Sequence, residues 1–261
     1  MLRAVRYGGW CWNAQARLWH DKAPTLIASR IAASRGGAPA PSGGRAAHMK
    51  QIDFYLDFLS PYAYLAFETL PVALQGLSVQ VRYKPVLLGA VLREHGLRGP
   101  AEIPAKRAFI YRQVLWLAHQ HGVPMDLPAE HPFAPLPLLR LALACGAGPQ
   151  PNRYICETVF RHVWRGGADA SAPERLQQLA AELAPPRDPS GEAVKTQLRA
   201  NTEEATAAGV FGVPALVVDG RVFWGLDALP MLRAYLEGDA WFATSAWDEA
   251  PRRPSALDRK P

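Results

Sequence analysis

Along residues 52–58 apolar side chains alternate with polar ones, Ile52, Phe54, Leu56 and Phe58 against Asp53, Tyr55 and Asp57, and this period of two predicts a strand. From Pro61 the apolar set changes to Tyr62, Leu65, Ala66 and Leu70, the spacing of one helical face. Val79, Val81 and Tyr83 then alternate with Gln80, Arg82 and Lys84 until Pro85 stops them. This second strand follows a crossover helix, so it is expected to lie parallel to the first with a right-handed connection.

From about Leu88 to Gly209 the pattern is helical throughout. Lys106–His121 is amphipathic and rich in aromatics, Leu136–Cys145 is apolar on nearly every face and is expected to be buried, and Asn152–Trp164 follows. Ser171-Ala-Pro-Glu174 has the spacing of a capping box and a proline in the first turn, which predicts a helix over 173–184. A further helix runs from about Glu192 to Ala208. Two short apolar strands then surround Asp219-Gly220, a dipeptide suited to a two-residue hairpin. A helix over Leu226–Leu236 closes the pattern.

A βαβ half followed by a ββα half is the thioredoxin arrangement, so the expected class is α/β: a thioredoxin-like fold (βαβ…ββα) with an all-helical insertion. Residues 49–87 and 209–242 form the thioredoxin-like part and 88–208 the insertion. Residues 1–48, ending in a Gly/Pro/Ala/Ser-rich run, read as a disordered or extraneous extension, and 243–261 as a flexible tail. An Arg-rich, acid-poor leader also fits a mitochondrial transit peptide; otherwise a cytoplasmic location is expected.

Charge changes the picture little. The chain carries +6, but seven bases and one acid fall within 1–48, leaving 22 of each sign in 49–261. A balanced folded part argues against a nucleic-acid partner. The absence of a long apolar run argues against a membrane span. Cys11, Cys145 and Cys156 share no Cys-x-x-Cys spacing, so neither a disulfide framework nor a metal site is expected. His119 and His121 face apart on a helix, which also disfavours a metal pair, and Phe109, Tyr111 and Trp116 read as core.

Three places could carry chemistry, with Lys106 as a further candidate. Ser60-Pro61 joins the first strand to the first helix. Serine is a good N-cap and proline suits the first helical position, so the pair has a purely structural explanation. The same geometry makes an anion site, where a thiolate brought by a ligand would be held and a hydroxyl could add a hydrogen bond. Ser60-Pro61-Tyr62-Ala63 contains no thiol, so dithiol exchange is excluded there and any sulfur must come from outside. Val213-Pro214 opens the third strand at the position where thioredoxin folds use a cis proline, although only about 5–6% of X-Pro bonds are cis. That geometry would turn the Val213 backbone toward an extended peptide; a peptide carrying a thiol is glutathione. Leu226-Asp227 near a helix start is either a capping acid or a partner for a ligand amino group. Lys106 is a solvated lysine unless a ligand carboxylate is its partner.

FYLDFLSPYAYLAFE, YKPVLLGAV with GPAEIPAKR, HPFAPLPLLRLALA, VFRHVWRGGADASAPERL and GVFGVPALVVDGRVFWGLDAL together resemble the 2-hydroxychromene-2-carboxylate isomerases. These belong with the kappa-class glutathione transferases to the DsbA-like branch of the thioredoxin fold, and the likeness spans about residues 50–242. The resemblance implies a glutathione-dependent enzyme acting on a small aromatic acid. Ser60 would activate the glutathione sulfur, Pro61 and Tyr62 would share its loop, and Lys106 would meet the glycyl end. Val213, before Pro214, would pair with the peptide backbone, and Leu226-Asp227 would hold the γ-glutamyl end. A homodimer is also what the family suggests. Leu97 stands where the kappa transferases have an asparagine ligand, and Ala228 stands where an arginine is common. Two other readings use the same features: a kappa-type transferase releasing a conjugate, and a thioredoxin-like binding module without thiolate chemistry.

Overall fold

The computed structural model describes residues 49–253. The expectations for 1–48, including Cys11, and for 254–261 lie outside the described residues.

Strand β1 (Lys50–Leu56) pairs in parallel with β2 (Val79–Pro85), Lys50 opposite Val79 and Leu56 opposite Pro85. Helix α1 (Pro61–Ala73) makes the crossover. On its other side β1 pairs antiparallel with β3 (Ala215–Val218), which pairs antiparallel with β4 (Arg221–Trp224), so the sheet order is β2-β1-β3-β4. Asp219 and Gly220, at φ 50° and 73°, adopt the left-handed conformations that a two-residue hairpin turn needs. The expected strands, their directions and the hairpin are all present.

The insertion supplies α2 (Leu88–Glu94), α3 (Pro104–His121), α4 (Leu136–Cys145), α5 (Arg153–Trp164), α6 (Pro173–Leu183) and α7 (Glu192–Ala207). The segment from 122 to 135 contains no helix and includes a cis His131-Pro132 bond, so the helical pattern is not continuous. The capping box also fails to form. Helix α6 starts at Pro173, which makes Ala172 the cap and moves Glu174 out of the required position; the Ser171 amide instead donates to Asp169 Oδ1 at 2.8 Å. The closing helix divides into a 3₁₀ turn, Leu226–Ala228, and α8 (Leu229–Leu236), because Pro230 has no N–H to give the Leu226 carbonyl.

Both faces of the sheet are covered. Ile52, Phe54, Leu56 and Phe58 join α1, α4, α5 and α8 in one core, in which Phe160 of α5 lies 4.8 Å from Phe58 and 5.1 Å from Phe67 between ring centroids. On the opposite face Tyr55, Val86, Val91, Ala205, Val210 and Ala215 form a second, smaller core under α2 and α7. The alternating positions Tyr55 and Asp57, polar by pattern, are therefore fully buried. The segment read as a flexible tail carries α9 (Ser245–Glu249), with Trp247 stacked on Phe223 at 6.3 Å. Phe109 and Trp116, expected in the core, are exposed on the outer face of α3, while Tyr111 is half-buried.

Candidate functional site at the start of the first helix

Ser60 sits where β1 hands over to α1, in extended conformation (φ −88°, ψ 116°), and is buried. Its hydroxyl oxygen accepts from the Ala63 amide at 3.2 Å, which is the N-cap bond. Its single proton points to the Val213 carbonyl at 3.4 Å, the outer limit of a hydrogen bond. The Tyr64 amide donates to the Ser60 carbonyl at 3.1 Å and Pro61 has no amide proton. The Tyr62 N–H is thus the first-turn donor without a partner among the described residues, and it stands at the positive end of the helix dipole.

The structure brings most of the expected residues to this point. The Val213-Pro214 bond is cis, and Val213 faces Ser60 across the joint. The Gly225 amide donates to the Pro214 carbonyl at 2.9 Å, which ties the 226–228 turn to the same loop, and that turn packs against α1. Asp227 is exposed there, and Leu226 is buried beneath it. Burial, and after it the Asp227 carboxylate, hold the Tyr62 phenol above its ordinary pKa, so the acid and the phenol share one field. Tyr62 Oη donates to Gln113 Oε1 of α3 at 2.6 Å.

Lys106 is the outlier. It is exposed at the start of α3 and makes no hydrogen bond or ion pair among the described residues. Seven residues separate it from Gln113, about 10 Å along the helix and on nearly the same face, so it lies two turns from the Tyr62 hydroxyl. Of the two departures, Leu97 is exposed beyond the end of α2 and Ala228 is buried in the turn.

Several residues that hold the site were not found from the sequence. Asp57 is fully buried with no cation beside it; its carboxylate accepts from the Leu59 amide at 3.0 Å and from the Leu88 amide at 2.9 Å. Burial pushes its pKa up to about 6 against the pull of those two bonds. Trp164 donates its indole N–H to the Phe58 carbonyl at 3.0 Å, and His131 Nε2 lies 2.9 Å from the Leu59 carbonyl. Tyr111 Oη lies 2.9 Å from His131 Nδ1 and 2.7 Å from the His131 carbonyl. Burial lowers the His131 pKa; the Leu59 carbonyl opposes that shift and Arg107 adds to it. No spacing rule links His131 or Trp164 to Ser60, since the contacts cross 72 and 106 residues.

The model of the DSBA-like thioredoxin domain family matches residues 51–237 of the chain. A protein of Pseudomonas putida named 2-hydroxychromene-2-carboxylate isomerase is 31% identical over 195 residues, covering 70% of this chain and 92% of that protein. The rat protein named glutathione S-transferase kappa 1 is 28% identical over 220 residues, covering 73% of this chain and 92% of its own. Among solved structures, that of a 2-hydroxychromene-2-carboxylate isomerase superposes with a TM-score of 0.62 at 25% identity, covering 72% of this chain and 94% of the other.

Proposed function

The chain belongs to the DSBA-like thioredoxin domain family, in the group of 2-hydroxychromene-2-carboxylate isomerases and kappa-class glutathione transferases, and from that premise we propose a glutathione-dependent isomerase of 2-hydroxychromene-2-carboxylate or a similar aromatic acid. The observation that carries the reading is the state of Ser60. Its oxygen is occupied by the Ala63 amide, while its proton is held only by the 3.4 Å contact to Val213 and is free to turn to an incoming anion.

The residues present suit a γ-glutamyl tripeptide. Ser60 Oγ–H and the Tyr62 N–H are two donors at one helix start, Asp227 is an exposed acid for an ammonium group, and Lys106 is an exposed base for a carboxylate. Val213, before the cis proline, offers backbone for pairing. Leu97 and Ala228 remove two polar contacts, so affinity for the tripeptide is expected to rest on this smaller set.

A free thiol has a pKa near 8.5 and is only a few per cent ionised at neutral pH. Lowering it by two units takes about 2.7 kcal/mol, within reach of one charge-assisted hydrogen bond and a helix end together. Bound there, glutathione would supply a nucleophilic sulfur for reversible addition to a conjugated carbon, the chemistry that lets a ring open and a former double bond rotate before the sulfur is released. Ser60 would hold the sulfur through its hydroxyl proton. The Tyr62 amide would give the second donor. The likeness to the rat transferase favours a second reading, in which the same donors serve a transferase that releases a conjugate.

Calorimetric titration with glutathione, paired with an isomerisation assay on 2-hydroxychromene-2-carboxylate, tests the reading. Turnover is expected only with glutathione present and with total glutathione unchanged; consumption of the thiol would support the transferase. Absence of any affinity for glutathione would overturn both.

A further inference from the structure

The joint that carries Ser60 is held by more than its cap. The peptide unit between Phe58 and Leu59 is fixed at both ends, its carbonyl by the Trp164 indole at 3.0 Å and its N–H by the Asp57 carboxylate at 3.0 Å. The next unit, between Leu59 and Ser60, is fixed likewise: its carbonyl by His131 Nε2 at 2.9 Å and its N–H by the Asp57 carbonyl at 3.0 Å. A peptide unit is planar, so holding both of its polar groups leaves it no rotation. Two consecutive units locked in this way, with the Ser60 carbonyl held by the Tyr64 amide at 3.1 Å, hold the backbone on both sides of Ser60. Asp57 belongs to the thioredoxin part, whereas both side-chain donors to the carbonyls come from the helical insertion.

We propose that His131 and Trp164 are positioning residues for the Ser60 hydroxyl, which aim its proton by fixing the two carbonyls that precede it. The proposal rests on the reading of Ser60 given above and assigns the insertion a part in the chemistry. The tautomer follows from the partners. A carbonyl only accepts, so Nε2 carries the proton and Nδ1 is an acceptor, and the Tyr111 hydroxyl donates between Nδ1 and the His131 carbonyl. Tyr111 thereby holds the ring in the tautomer that serves Leu59. The Trp164 ring is wholly buried and lies 5.5 Å from the imidazole, so the two donors also brace one another. Precision matters here because the Ser60 to Val213 contact is already at the limit of a hydrogen bond. A shift of a few tenths of an ångström at Leu59 would carry that contact outside hydrogen-bond range.

His131→Phe keeps a ring and removes the donor, His131→Gln restores an amide donor at a similar reach, and Trp164→Phe removes the second donor independently. For each folded variant, the affinity for S-methylglutathione and the ultraviolet titration of the thiol of bound glutathione are compared with the parent. S-methylglutathione, which has no thiol to ionise, is expected to bind within about twofold of the parent. In His131→Phe and Trp164→Phe the bound thiol is expected to titrate about one unit higher, a tenfold loss of thiolate below its pKa. His131→Gln is expected to recover most of that shift, which a merely space-filling role would not produce. Amide hydrogen exchange of Ala63 gives a readout without ligand: protection is expected to fall about tenfold in His131→Phe beyond any fall in global stability measured by denaturation, and to return in His131→Gln. Parent-like thiol titration and parent-like exchange in folded His131→Phe would overturn the inference. A parent that leaves the glutathione thiol at its solution pKa would overturn the reading of Ser60 instead, with the exchange result then deciding the positioning role alone.

Discussion

Replacing Asp57 by asparagine tests whether the joint before α1 contains a carboxyl that resists ionisation. Asp57 has no exposed surface, two backbone amides as donors, and a pKa raised by burial from the ordinary 3.8 to about 6. A carboxyl with a raised folded pKa binds its proton more tightly in the folded state. Its stabilising contribution is complete below the unfolded pKa and is lost as pH rises through the folded one. Over the whole range this amounts to about 3 kcal/mol, and between pH 4.5 and 7.5 to about 2 kcal/mol. For a domain of this size that is roughly 5 °C in melting temperature. In Asp57→Asn the amide oxygen can still accept from Leu59, but its NH2 group faces the Leu88 N–H, a mismatch costing about 1–3 kcal/mol at every pH. Urea denaturation of both proteins at half-unit steps of pH measures the difference. The variant is expected to be about 2 kcal/mol worse off relative to the parent at pH 4.5 than at pH 7.5. Stability curves that run parallel across this range would refute the assignment of a buried, unpaired carboxyl at residue 57.

Gly225 has φ 97°, and a Cβ there would meet Asp227 Oδ1, so Gly225→Ala is expected to lower stability by about 1–3 kcal/mol and to weaken glutathione binding by displacing the 226–228 turn, measured by denaturation and calorimetry. Cys156 is fully buried and burial raises its thiol pKa, while half-buried Cys145 is shifted the same way, so iodoacetamide at pH 8 is expected to leave Cys156 unmodified in the folded protein and to label it on unfolding, as read by mass spectrometry.

The strands and the helix between them were legible because their side chains repeat with periods of two and three to four, and those periods reflect local geometry. The hairpin was legible for a similar reason: Asp219-Gly220 tolerates the left-handed conformations that such a turn needs. Ser60-Pro61 announced a helix start, since capping depends on neighbours along the chain. The errors came from coverage and competition. Tyr55 and Asp57 alternate like an exposed face, yet α2 and α7 cover that face. The Ser171 capping box was displaced because Pro173 set the helix start.

The clamp around Ser60 had no signature at all. His131 is an isolated histidine before a proline, and Trp164 ends a helix as a large apolar residue; nothing local marks either as a donor to a loop more than 70 residues away. By itself, then, the sequence determined the strands and their order, most of the helices, the thiol-free helix start and the proline that opens the third strand, all properties of a few adjacent residues. Only the tertiary structure decided which carbonyls His131 and Trp164 hold, that Asp57 is buried without a cation, and that Lys106 stands two turns from the Tyr62 hydroxyl. These are distances between segments remote along the chain, set by how the helical insertion packs on the sheet.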